Sequence, residues 1–180
     1  MRWRECARHM SGIVGVALWL SGAHAEAATA AARVLPSGEG IELEFPAETG
    51  GQKEVVPLYH SGTIRYFSTG IGQVEREAAY PPFALKLVFT AGGKSFVTGV
   101  GVTLRDAKGL SVLTVPQEQI TGPWLFIDLP EGVYEVTATL GGVTNRVAGI
   151  KVRPGHVTTQ HVRWAEDRSP ALPAGVGPES

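Results

Sequence analysis

The chain has 180 residues, with 16 Lys and Arg against 17 Asp and Glu, so its formal net charge of −1 leaves no basic footprint for nucleic acid. A single cysteine, Cys6, excludes an internal disulfide framework, and the length is that of one domain with one core.

Residues 1–25 read as a secretory signal. A basic start (Arg2, Arg4, Arg8) precedes the apolar run Ile13-Val-Gly-Val-Ala-Leu-Trp-Leu20 and the small-residue site Ala23-His24-Ala25. The apolar run is far short of the roughly 20 residues that a membrane-spanning helix needs. Cleavage after Ala25 removes Cys6, three basic residues and one acidic residue. It leaves 155 residues with 13 basic against 16 acidic side chains, a net charge of −3. The expectation is a periplasmic or secreted protein with no disulfide, no acyl anchor and no membrane span after signal cleavage.

Residues 26–57 are rich in Ala, Glu and Gly, are punctuated by Pro36, Pro46 and Pro57, and alternate cleanly only at Ile41-Glu-Leu-Glu-Phe45. This composition predicts a loosely ordered leader with one edge strand. An aromatic strand follows, then a glycine turn at Gly70 and Gly72, and a short helix over residues 73–79 that Pro81 and Pro82 end. Beyond the prolines every segment has the period of a strand. Phe83, Leu85, Leu87 and Phe89 share one face, as do Val100, Val102 and Leu104, and as do Tyr134, Val136, Ala138 and Leu140 in "LPEGVYEVTATL". Pro130 and Gly132 reverse the chain into that last strand, with Pro130 fixing φ and Gly132 free to take a positive one. Turn signals near residues 92, 108, 131 and 141 divide the strands. The fold class is all-β: an antiparallel sandwich over residues 58–164, one short helix before it, and a disordered tail over residues 165–180.

Two runs carry a resemblance. Gly99-Val100-Gly-Val102-Thr-Leu104-Arg-Asp106-Ala-Lys-Gly109 and Gly122-Pro-Trp124-Leu-Phe126-Ile-Asp-Leu129-Pro130-Glu-Gly132-Val-Tyr134 resemble the carboxypeptidase regulatory-like domain. That domain is an Ig-like or prealbumin-like β-sandwich attached to many secreted bacterial proteins. "STGIGQVEREA" followed by "FALKLVFT" is also similar to an uncharacterised proteobacterial secreted family built on this sandwich. The resemblance implies a fold and a compartment, not an activity. The zinc chemistry of the enzymes that carry such a domain belongs to a separate catalytic domain, for which this chain has no room.

The residues agree that no catalytic set is present. His60, His156 and His161 stand in "HSGT", "HVTT" and "HVRW", none with a His-x-x-Glu zinc pair, and odd spacing would put His156 and His161 on opposite faces of one strand. No Gly-x-Ser-x-Gly elbow occurs. "GIGQVE" has Glu75 where a nucleotide loop needs its third glycine, and reads as a turn into a helix with Glu75 and Glu77 on a solvated face. No cofactor, no metal and no enzymatic activity are expected.

The one feature beyond the generic is Trp124-Leu-Phe-Ile-Asp-Leu129. The family pattern places Trp124, Phe126 and Leu129 in the core, which leaves Leu125 and Ile127 on the outward face to be covered by residues 59–71 or by a partner. Leu125 and Ile127, with Trp164 and Tyr66 as possible exposed rings, are the candidate interaction residues. The expected role is a non-catalytic module contacting an envelope protein or extracellular polymer, with carbohydrate or small-ligand binding as the alternative.

Overall fold

The structure, a computed structural model, describes residues 30–47, 51–92 and 95–165. The signal with its cleavage site, and the tail from residue 166, lie outside the described residues.

Four consecutive buried residues, Trp124-Leu-Phe-Ile127, open the strand Trp124–Asp128. A strand reads this way when both of its faces are covered, and the architecture follows from that requirement. The fold is all-β with one short helix. In chain order the strands are β1 (Ala31–Val34), β2 (Gly40–Glu44), β3 (Lys53–Pro57), β4 (Tyr59–Ser61) and β5 (Ile64–Thr69). After α1 (Gln73–Glu77) come β6 (Leu85–Ala91), β7 (Ser95–Phe96), β8 (Gly101–Asp106) and β9 (Ser111–Val115). The series ends with β10 (Trp124–Asp128), β11 (Gly132–Leu140), β12 (Val143–Val152) and β13 (Thr158–Trp164).

These strands make three sheets. The first has the order β1-β2-β3, the second β13-β6-β10-β5-β4 with β7 on the end of β6, and the third β12-β11-β8-β9. Pairing is antiparallel except between β13 and β6. The second sheet is the middle layer. One of its faces gives Tyr66, Leu85, Leu87, Phe89, Leu125 and Ile127 to a core shared with Val102, Leu104, Val136 and Leu140 of the third sheet. Its other face gives Phe67, Val88, Trp124 and Phe126 to a second core with Ile41, Leu43 and Val56 of the first sheet. The sandwich expected from the sequence is therefore the second and third sheets, with an extra three-stranded layer laid over its back.

That layer corrects the reading of residues 26–57 as a loose leader. Ile41 and Leu43 are fully buried, and the apolar side of β2 closes over rings of the middle sheet. Phe67 stacks on Phe126 at 4.8 Å with a 5° interplanar angle, and meets Phe83 edge-on at 4.9 Å. Phe83 belongs to this second core and not, as alternation implied, to the face of Leu85 and Leu87. The turn marked by the bond from Phe83 N–H to Pro81 O precedes β6, so the strand period does not extend back to it. Residues 59–71 do not cover β10 either. They form β4 and β5, and β5 lies beside β10 within the same sheet.

The "LPEGVYEVTATL" strand follows its pattern: Tyr134, Val136, Ala138 and Leu140 are buried, and Glu135, Thr137 and Thr139 point away. Its turn works differently from expectation. Gly132 is not among the glycines with positive φ. The Tyr134 hydroxyl donates to Pro130 O at 2.9 Å, which folds the ring back so that a Cβ on residue 132 would sit 3.2 Å from it. A side chain there would have to push the Tyr134 ring aside by a few tenths of an ångström.

Candidate functional site

The four residues singled out by sequence do not form a surface. Leu125 and Ile127 are completely buried, and Tyr66 and Trp164 retain only 5% and 2% of their exposure. All four belong to the core between the middle and third sheets. The physical reason is that both faces of β10 are internal, so neither half of its apolar alternation is left for a partner. The polar ends of the two rings are also committed. Tyr66 Oη donates to Gln119 Oε1 at 2.7 Å, and Trp164 Nε1 donates to Val143 O at 3.0 Å. Nor do His156 and His161 share a strand: His156 lies in the turn ahead of β13, and His161 lies on it. Among the described residues no group of three or more His, Cys, Asp or Glu side chains is placed to hold a metal.

An open concavity of about 670 Å³ lies elsewhere, on the outer face of the third sheet. Two bulges lie near each other there, an extra residue on β9 at Val112 opposite Arg105 and one on β12 at Ala148 and Gly149 opposite Glu135. Bulges bend a strand and re-aim its side chains, and these two flank the row in which Arg105 faces Glu135. Arg146 on β12 bonds Glu135 at 2.6 Å. That hydrogen bond, with the charge of Glu135, pushes the Arg146 guanidinium above its usual range. Arg105 Nη1 donates to Gly109 O at 3.1 Å. The next row is hydroxylic: Thr114 faces Thr103, Thr103 faces Thr137, and Thr137 faces Arg146. The groove therefore offers two guanidinium groups, the carboxylates of Asp106 and Glu135 and the hydroxyls of Thr137 and Thr144, with Val133 exposed at its margin.

Sequence reasoning missed this groove. Alternation placed Glu135 and Thr137 outward, but the pairing that brings Arg105 and Arg146 to Glu135 is long-range and cannot be read from one strand's pattern.

The glutamate assigned to a solvated helix face is a structural group. Glu75 Oε2 accepts from Gly70 N–H at 2.7 Å, Ile71 N–H at 3.1 Å and Thr69 Oγ1 at 2.8 Å, while Oε1 accepts from Gly72 N–H at 3.2 Å. Burial would raise its pKa, but the bonds from Thr69 and the three backbone N–H groups outweigh burial and hold it below the usual range. Gly70 has φ of +96° and lies under the Trp124 ring, so the turn needs glycine there. Gly72, at φ −81°, has an ordinary conformation.

None of the family models, curated proteins or solved structures compared with the chain matches it. Among the described residues no helix is long and apolar enough to cross a membrane.

Proposed function

We propose that the chain is a non-catalytic, exported β-sandwich module, periplasmic or secreted, that holds an extended segment of another envelope protein or polymer across its third sheet. The observation that carries this reading is the bulged groove, where Arg105, Glu135 and Arg146 alternate in charge beside the threonine row. Fixed donors and acceptors on a sheet suit a chain whose own polar groups are displayed in extended form. The resemblance of residues 97–152 to carboxypeptidase regulatory-like domains supports the same role, since such domains are attached to secreted proteins.

The alternative, a sugar platform, needs an exposed flat ring. Trp164 and Tyr66 are buried, and Tyr59 is stacked on Tyr66 at 5.5 Å. Phe96, the exposed large aromatic among the described residues, lies under Arg76, 5.2 Å from its ring centre. These positions favour a protein or polar-polymer partner over stacking on a sugar.

The test is site-directed photocrosslinking from position 137 in the producing cells, with and without Arg105→Glu and Arg146→Glu together. The expected result is a discrete adduct that the double variant loses while its melting temperature stays within a few degrees. An adduct that survives the double variant unchanged would exclude the groove.

A further inference from the structure

Free sheet edges invite pairing with another chain, and proteins blunt them. The edges of this fold are protected one by one, with a single exception among the described residues. β1 is closed by the segment after α1, with bonds from Ala32 N–H to Ala79 O at 3.0 Å and from Ala79 N–H to Ala30 O at 2.9 Å. β3 carries Lys53, Glu54 and Pro57, and β4 is three residues long. β12 and β13 seal each other at the corner of the sandwich. Asn145 Nδ2 donates to Arg163 O at 2.7 Å, Trp164 Nε1 to Val143 O, and Thr158 Oγ1 to Lys151 O at 2.9 Å. β9 has no covering segment, charge, proline or side-chain seal, and its one irregularity is Val112, the extra residue of a bulge opposite Arg105. It is the outer strand of the third sheet, it pairs only with β8, and its sequence Ser-Val-Leu-Thr-Val is β-prone with no charge and no proline. Leu110, 62% exposed, continues the apolar run.

We infer that β9 pairs antiparallel with β9 of a second copy of this chain, with the two-fold axis at Leu113. The flanking charges select this occupant. Pairing centred on residue 113 sets Ser111 against Val115 and Val112 against Thr114, and brings the turn that carries Lys108 opposite the turn that carries Glu118. Lys108 and Glu118 are both exposed, so each end of the seam joins opposite charges. A two-fold interface must be self-complementary, and this edge is complementary to itself in charge as well as backbone. The product is a continuous eight-stranded sheet with Leu113 beside its own copy on the core side. The surface is distinct from the groove, and the inference does not depend on the proposed function.

Sedimentation equilibrium of the mature chain, residues 26–180, tests it. The wild type is expected to show a concentration-dependent monomer–dimer equilibrium. Lys108→Glu or Glu118→Lys alone should weaken the dimer about tenfold by setting like charges together at both ends of the seam. The double swap should restore it. Val112→Lys with Thr114→Lys should leave a folded monomer, checked by an unchanged circular dichroism spectrum. A wild type that stays monomeric at several hundred micromolar, or a dimer indifferent to all of these changes, would overturn the inference.

Discussion

At the scale of single residues, three side chains show how little the residue type alone reveals. Glu75 gathers a hydroxyl and three backbone N–H groups, and its folded pKa lies below its unfolded one. Its contribution is therefore present in full above the unfolded value of about 4.3 and is lost as pH falls through the folded value. Glu75→Gln should lower the unfolding free energy from urea titrations by about 1 kcal/mol at pH 7, the scale of a lost capping group, and the gap from wild type should close toward pH 3. Lys86 is the opposite case. Its ammonium lies 3.1 Å from the centre of the Trp124 ring and makes no ion pair among the described residues, and burial pushes its pKa down. A lysine with a lowered folded pKa costs stability in full below that value, and the cost fades as pH rises from there toward the unfolded value. Lys86→Met should thus stabilise the protein at pH 7, with a smaller gain at pH 10 in parallel thermal melts. Tyr134 separates packing from hydrogen bonding. Tyr134→Phe removes the bond to Pro130 O and should cost about 0.5–1.5 kcal/mol in urea titrations, whereas Tyr134→Ala should cost about 3–5 kcal/mol.

At the scale of elements, the decisive one is the hairpin-linked sheet of β1, β2 and β3. It covers Phe67, Trp124 and Phe126, which would otherwise form an apolar face on the back of the sandwich. Leu43→Ala should therefore destabilise as strongly as Leu125→Ala, each by about 2–5 kcal/mol, although one residue lies in the segment of leader-like composition and the other at the centre of the sandwich. Removal of residues 26–57 should raise binding of a hydrophobic dye together with a large loss of thermal stability. Equal melting of the truncated and mature chains would mean that the first sheet does not cover the middle one. Edge chemistry belongs to this scale too, since the seal between β12 and β13 uses side-chain donors on backbone carbonyls of the facing strand.

At the scale of the molecule, the three-layer arrangement makes the middle sheet the most enclosed part of the structure, with Leu85, Leu87, Phe89, Leu125 and Ile127 excluded from solvent. Hydrogen exchange should be slowest for amides of β6, β10 and β5, and faster in β1 and β3, which lie at the edges of the first sheet. Uniform protection across all three sheets would contradict this ranking. The two surfaces proposed for contacts both belong to the third sheet, the groove on its outer face and the seam at its free edge. The sheet has one wall against the core and one open to solvent, and that open wall is where its polar alternation is kept.

Local periodicity by itself determined the all-β class, the inward face of β11 and the apolar faces of β6 and β8, because a period of two is set by the pleat and needs no distant partner. It could not decide which of the two apolar faces of β10 was internal, because a strand covered on both sides carries no polar face to mark the outside. Only tertiary structure decided that both were, and with it the fate of Leu125, Ile127, Tyr66 and Trp164. The same limit hid the groove. Arg105, Glu135 and Arg146 are separated by up to 41 positions in the chain and meet only through register and two bulges. Residues 26–57 were misread for a related reason. Their burial depends on aromatic rings far along the chain, and composition records what a segment contains without recording what it is packed against.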